Sequence, residues 1–239
     1  MTLKKPHINM DAGEGISGEY ELYPFVNALN VACGGHYGDE RTIFETLNHA
    51  IFYEIEIGAH PSYPDKENFG RVSLELSPEE LTASIIDQID LFARVTEGLG
   101  VTWTHIKPHG ALYNDLAQNA SLAEVFLNAI VPYKEKTLYL QESSVRALEA
   151  DKRGFKVVHE YFIDRNYHAI DRLVPRSEEN ALISDPKQAL DHLYSMATKK
   201  SLKLQDGTEV PIQPHTFCIH SDHKATPQII AEIAKVYGS

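Results

Sequence analysis

Two cysteines, Cys33 and Cys218, are all the chain offers toward a disulfide or a thiolate metal framework, and neither has a Cys-x-x-Cys partner. A cystine-stapled secreted fold and a zinc ribbon are therefore excluded, and a reducing compartment is expected. Long apolar runs are missing too. No stretch approaches the roughly 20 residues that span a bilayer, and no basic-then-apolar leader is read, so a soluble cytoplasmic protein is the expectation. Positive charge is scarce: 22 basic residues face 34 acidic ones, for a formal charge of −12. That balance argues against binding to nucleic acid or to an anionic membrane. There is no G-x-x-x-x-G-K-[ST] loop, and so no P-loop nucleotide site. Low-complexity tracts, charge blocks and Pro/Gly-rich linkers are absent as well, which favours a single domain over residues 1–239.

What the chain does contain is a repeated alternation of apolar runs with stretches of helical period. HINMDAGEG, ALNVACGGH, EIGAHPSYPD, VTWTHIKPHG, TLYLQ, KVVHEYFIDR and HTFCIH read as strands followed by turns. Between them ERTIFETLNHAIFY, SPEELTASIIDQIDLFARVTEGLG, SLAEVFLNAIV, SSVRALEADKRG, DPKQALDHLYSMATK and TPQIIAEIAKVYG read as helices. The clearest is the second, with Ser77 as N-cap, Pro78 at the first helical position and Glu80 completing a capping box. About seven strands separated by helices give an α/β pattern of the parallel kind, with right-handed crossovers. Residues 201–213 carry Asp206-Gly207 and read as a small hairpin insertion.

Polar residues gather at the strand ends. Asp11 and Glu14 follow the first strand, His36 and Asp39 the second, His60 and Asp65 the third, and Lys107 and His109 the fourth. Asp164 and Arg165 follow KVVHEYF, and His220 and Asp222 follow the last. In a parallel barrel these ends share one rim, where βα loops build the active site. His105, one pleat deeper than Lys107, reads as a structural histidine beneath the pocket floor. Gly13 to Gly18 spells G-x-G-x-x-G, the dinucleotide fingerprint, but Asp11, Glu14 and Glu19 surround it and would repel a phosphate.

Taken together, NMDAGE at 9–14, ACGGHYGD at 32–39, GAHPSYPDKENFGR at 58–71, KPHGALYN at 107–114, FIDRNY at 162–167, LVPRS at 173–177 and CIHSD at 218–222 resemble the LamB/YcsF family, which supplies the A subunit of prokaryotic 5-oxoprolinase. The resemblance implies a seven-stranded parallel β/α barrel related to glycoside hydrolases and polysaccharide deacetylases. It also implies ATP-dependent opening of 5-oxo-L-proline to L-glutamate with partner subunits B and C, with ATP and its magnesium at this chain or at those partners. A homo-oligomer is left open.

Within that frame Asp11, Glu14, His36, His60, His109 and Asp164 are expected as acid, base or water-orienting groups. Asn9, Lys107, Arg165, Arg176, His220 and Asp222 are expected at the substrate, the three cations suiting a carboxylate or a transferred phosphate. Alanine at His109 or Asp11 is expected to lower the activity of the full complex by orders of magnitude and to leave thermal stability nearly unchanged. The chain departs from the usual family pattern at Gly35, Tyr37, Asn166 and Ser221, which is expected to alter the pocket. Two other readings stand beside this one. The first is a metal-dependent deacetylase or amide hydrolase with Asp11, His36, His60 and His109 as ligands. The second is a non-catalytic assembly subunit whose polar rim binds substrate or docks against its partners.

Overall fold

The computed structural model describes residues 5–238; positions 1–4 and 239 of the expected domain lie outside the described residues. Seven strands close a barrel: β1 (Ile8–Ala12), β2 (Ala28–Ala32), β3 (Glu56–His60), β4 (His105–Ile106), β5 (Thr137–Leu140), β6 (Val157–Phe162) and β11 (Thr216–Ile219). Around the ring they run β1, β11, β6, β5, β4, β3, β2, and every pairing is parallel. Parallel neighbours need long crossovers. These contain α1 (Glu40–Phe52), α2 (Pro78–Gly98), α3 (Gly110–Gln118), α4 (Ala120–Ala129), α5 (Val145–Lys152) and α6 (Pro186–Tyr194), with α7 (Thr226–Tyr237) closing the chain. No helix among the described residues is long and apolar enough to cross a membrane.

The helix starts follow local chemistry. Ser77 Oγ accepts from the Glu80 N–H at 3.2 Å while the Ser77 N–H donates to Glu80 Oε2 at 2.8 Å, the reciprocal capping box that begins α2. Asp39 caps α1 in the same way, accepting from the Thr42 N–H at 2.9 Å. This corrects its reading as a rim residue: its carboxylate is consumed at the helix end, on the surface. Asp65 likewise turns back on its own loop, accepting from the Asn68 N–H.

Three elements differ from the sequence reading. β4 has only two residues, although beyond it the Lys107 N–H reaches the Ala59 carbonyl at 3.0 Å and the His109 N–H the Pro61 carbonyl at 2.8 Å, with Pro108 between them unable to donate. The helix α3 and a hairpin of β7 (Tyr167–Ala169) and β8 (Arg172–Leu173) have no counterpart in that reading. A second hairpin, β9 (Ser201–Lys203) with β10 (Glu209–Pro211), occupies the insertion.

Alternation along the strands separates two environments. Ile8, Met10, Leu29, Val31, Ile57, Ala59, Ile106, Leu138, Leu140, Phe217 and Ile219 join Ile43 and Leu47 of α1 and Ile85, Ile89 and Phe92 of α2 in one apolar cluster. The residues between them point into the lumen, and there the character reverses.

Candidate active site

The lumen is filled by two polar tiers. In the lower one Asn9 Nδ2 donates to Thr216 Oγ1 at 2.9 Å, Asn30 Nδ2 donates to Asn9 Oδ1 at 2.8 Å, and His105 Nε2 lies 2.9 Å from Asn30 Oδ1. His105 stacks on Tyr139 with ring centres 4.2 Å apart, and burial pushes its pKa down to about 3, so it is neutral. Gly58 makes the space, since a Cβ there would collide with His105 Cδ2. Asn9, expected at the substrate, is thus sealed beneath the site and supports it through Asn30.

The upper tier is charged. Lys107 Nζ donates to Asp11 Oδ1 at 2.8 Å, lies 3.0 Å from Cys218 Sγ and 3.1 Å from Glu160 Oε1, and is only 2% exposed. Burial opposes both charges, but His60 and Lys107 hold Asp11 well below the usual carboxylate range, and Asp11, Cys218 and Glu160 hold Lys107 well above the usual ammonium range. The pair stays ionised because each charge is hydrogen-bonded as well as paired. Asn30 Nδ2 also donates to Asp11 Oδ1 at 2.9 Å, so the tiers interlock.

Above them four side chains converge, His60 from the last position of β3 and Glu14, His36 and His109 from the loops after β1, β2 and β4. His36 Nε2 lies 2.9 Å from Glu14 Oε1, His109 Nδ1 lies 3.4 Å from the same oxygen, and His109 Nδ1 lies 3.0 Å from His60 Nε2. Burial, with Asp11 nearby, raises the Glu14 pKa to about 8; burial lowers His36 to about 3, and burial with His36 and His60 holds His109 well below the imidazole range. Glu14 takes the place expected for Asp11 beside the three imidazoles, because the Asp11 oxygens are engaged by Lys107, Asn30 and His60.

On the far side of the barrel His220 Nδ1 lies 3.0 Å from both oxygens of Asp164. Burial pushes the Asp164 carboxyl up, but His220, Arg165 and Arg176 outweigh it and bring its pKa to about 2. Arg71 and Arg176 both pair with Asp222 Oδ2, and Arg165 donates through Nη2 to the Val174 carbonyl at 2.6 Å.

Part of this array borders one cavity of about 580 Å³, lined on one side by residues 171–177, which contain β8. Asp11, His60, Lys107, His109, Arg165, Arg176 and His220 line it; Asn9, Glu14, His36, Asp164 and Asp222 do not, lying behind residues that do. Gly35, Tyr37, Asn166 and Ser221 are also absent from the lining, so the departures at those positions do not shape its wall. A Cβ at Gly35 would collide with Gln88 Oε1 and Ser62 Oγ, which explains why no larger residue stands before His36.

Sequence reasoning missed Arg71, Glu160 and Cys218. Period two from Phe162 and from His220 would have placed Glu160 and Cys218 in the lumen; Arg71, deep in a long loop, carried no such signal. The G-x-G-x-x-G stretch holds no anion site. Its Gly13 and Glu14 N–H groups donate to the Glu19 carboxylate at 3.1 and 3.4 Å, and only a three-residue 3-10 turn follows.

The sequence model of the LamB/YcsF family matches residues 7–238. Among solved structures the chain is similar to a lactam utilization protein from Thermus thermophilus, with 32% identity and a TM-score of 0.87 over 98% of this chain and 96% of that one. A protein from Enterococcus faecalis, assigned provisionally to cellobiose-phosphate cleavage, shares the fold at 14% identity and a TM-score of 0.57, over 99% of this chain and 96% of the other.

Proposed function

Because the chain belongs to the LamB/YcsF family, we propose that it is the A subunit of an ATP-dependent 5-oxoprolinase, opening 5-oxo-L-proline to L-glutamate with partner subunits B and C. The observation that carries this reading is a single cavity lined both by Arg71, Arg165 and Arg176 and by Asp11, Lys107 and His220. A cyclic amide bearing a carboxylate needs both sets. Guanidinium groups suit the carboxylate, while opening the ring requires a proton to leave the attacking water and another to reach the lactam nitrogen. The name of the Thermus relative, a lactam utilization protein, supports a lactam as substrate.

In this reading His220 is the proton carrier. Its Nδ1–H donates to Asp164, which fixes the tautomer, and its Nε2 makes no hydrogen bond among the described residues. Such an arrangement leaves a basic nitrogen free for water, the role an aspartate gives to a catalytic histidine in hydrolytic triads. Asp164, expected as a second base, becomes the residue that positions His220. Lys107 and the arginines supply fixed positive charge where the lactam oxygen gains electron density. The Gly13–Gly18 amides do not fit a nucleotide, so ATP binds at the partner subunits in this reading.

Glutamate release from 5-oxoproline and ATP tests it, measured with this chain alone, with subunits B and C alone, and with the mixture. Activity only in the mixture is expected. Equal activity without this chain would make it a non-catalytic component, and none in any combination would remove 5-oxoproline as substrate.

A further inference from the structure

We propose that Glu14, His36, His60 and His109 form a binding site for one divalent transition-metal ion of the zinc or cobalt class, a site that goes beyond the lactam reading and is independent of it. Each side chain offers one ligand atom, and the four atoms lie within 4.8 Å of one another. The contacts of 2.9, 3.0 and 3.4 Å are close to the edge of about 3.3 Å in a tetrahedron whose metal–nitrogen and metal–oxygen bonds are about 2.0–2.1 Å.

Donor and acceptor accounting gives the stronger argument. His60 Nδ1 lies 2.6 Å from the Lys107 carbonyl oxygen, and His109 Nε2 lies 3.0 Å from the Phe69 carbonyl oxygen. A carbonyl only accepts, so each of these nitrogens carries an N–H, which turns His60 Nε2 and His109 Nδ1 toward each other at 3.0 Å, with Asp11 Oδ2 3.3 Å from the same His60 nitrogen. Glu14 Oε1 lies 3.4 Å from His109 Nδ1 and 2.9 Å from His36 Nε2, so that a proton on this carboxyl reaches one of the two, while buried His36 Nδ1 has no partner among the described residues. A single proton bridges one such pair at a time. One cation serves all four atoms.

Backbone carbonyls that hold ligand imidazoles in a fixed tautomer are the outer shell expected of a metal site. Three imidazoles and one carboxylate favour zinc or cobalt over magnesium or calcium, which prefer oxygen. His60 and His109 line the cavity, so the ion would border it. Gly70 allows the cluster to close, because a Cβ there would lie 2.9 Å from His36 Cβ and 3.1 Å from His109 Cδ2.

The test uses the whole chain without substrate, ATP or partner subunits, so its outcome does not depend on the lactam reading. Metal-stripped protein is titrated with cobalt(II) and with zinc, following visible cobalt absorption, bound metal and thermal midpoint. The site predicts about one ion per chain, intense bands of four-coordinate cobalt and a raised midpoint, with no response to magnesium. Glu14→Gln and His109→Asn should lose the bands and the gain in midpoint; Asp164→Asn, outside the cluster, should keep both. Absence of stoichiometric zinc or cobalt in the wild-type chain, which needs no variant to fold, would overturn the site and leave a proton in the gap. Undiminished binding by folded Glu14→Gln and His109→Asn would overturn it equally.

Discussion

Met10 and Asp11 are adjacent on β1, both almost fully buried, yet one packs with the helices and the other pairs with Lys107 inside the barrel. The same division recurs at Leu29 and Asn30 on β2, at Ala59 and His60 on β3, and at Ile219 and His220 at the end of β11. Outside the sheet, burial of apolar surface stabilises the fold without regard to direction. Inside, every group depends on a particular partner, and removing one leaves another buried and unpaired. Strand periodicity thus keeps the fold and the chemistry on opposite faces of one backbone, but the chemical face has become structural in its own right.

The expected damage to each face can be ranked. Asp11→Ala should be most severe, because it removes one of the two carboxylates that pair the buried Lys107 ammonium, leaving Glu160 at 3.1 Å, and unpairs Asn30 and His60 as well; a stability loss of about 3–5 kcal/mol by denaturant titration is expected, together with loss of lactam opening. This revises the expectation from sequence that stability would be spared. An unchanged unfolding midpoint would show that the tiers are not interdependent. Next comes His220→Gln, which should lower the rate of the reconstituted enzyme by about 10²–10⁴-fold with little change in unfolding midpoint. Activity surviving that change would remove His220 as proton carrier.

On the outer face, Leu29→Ala should cost about 2–5 kcal/mol of stability while the rate per folded chain stays near that of wild type. A fall in that rate would blur the distinction between the faces. The smallest effect concerns pH. Asp164 has its pKa lowered from 3.8 to about 2, so its pairing contributes fully above about pH 4 and is lost as pH falls toward 2. That contribution is on the order of 2 kcal/mol, and Asp164→Asn should flatten this part of the stability profile. An identical acid limb in the variant would contradict it.

Much of this arrangement was legible in the sequence. Apolar runs ending in Asp11, His36, His60, His109 and His220 announced strands that open on a common rim, and His105 sits below that rim as its parity required. What stayed hidden depended on distance along the chain. Nothing in VVHEYF says that Glu160 approaches a lysine far earlier in the chain, and nothing around Asp39 distinguishes a rim carboxylate from the cap of α1 that it is. Glu14 could not be ranked above Asp11 as the partner of the histidines, because Lys107 decides the matter from across the lumen. Asp164 and His220 both stand out at strand ends, but their contact, which the proposed exchange of roles rests on, is not written in either segment.

The most direct test of the division between faces compares Met10→Leu with Asp11→Asn in the reconstituted assay, normalised to folded chain. The account predicts that Met10→Leu keeps its rate and that Asp11→Asn, one residue away and nearly isosteric, loses it by orders of magnitude. Equal rates for the two variants would contradict the assignment of the lumen as the active face.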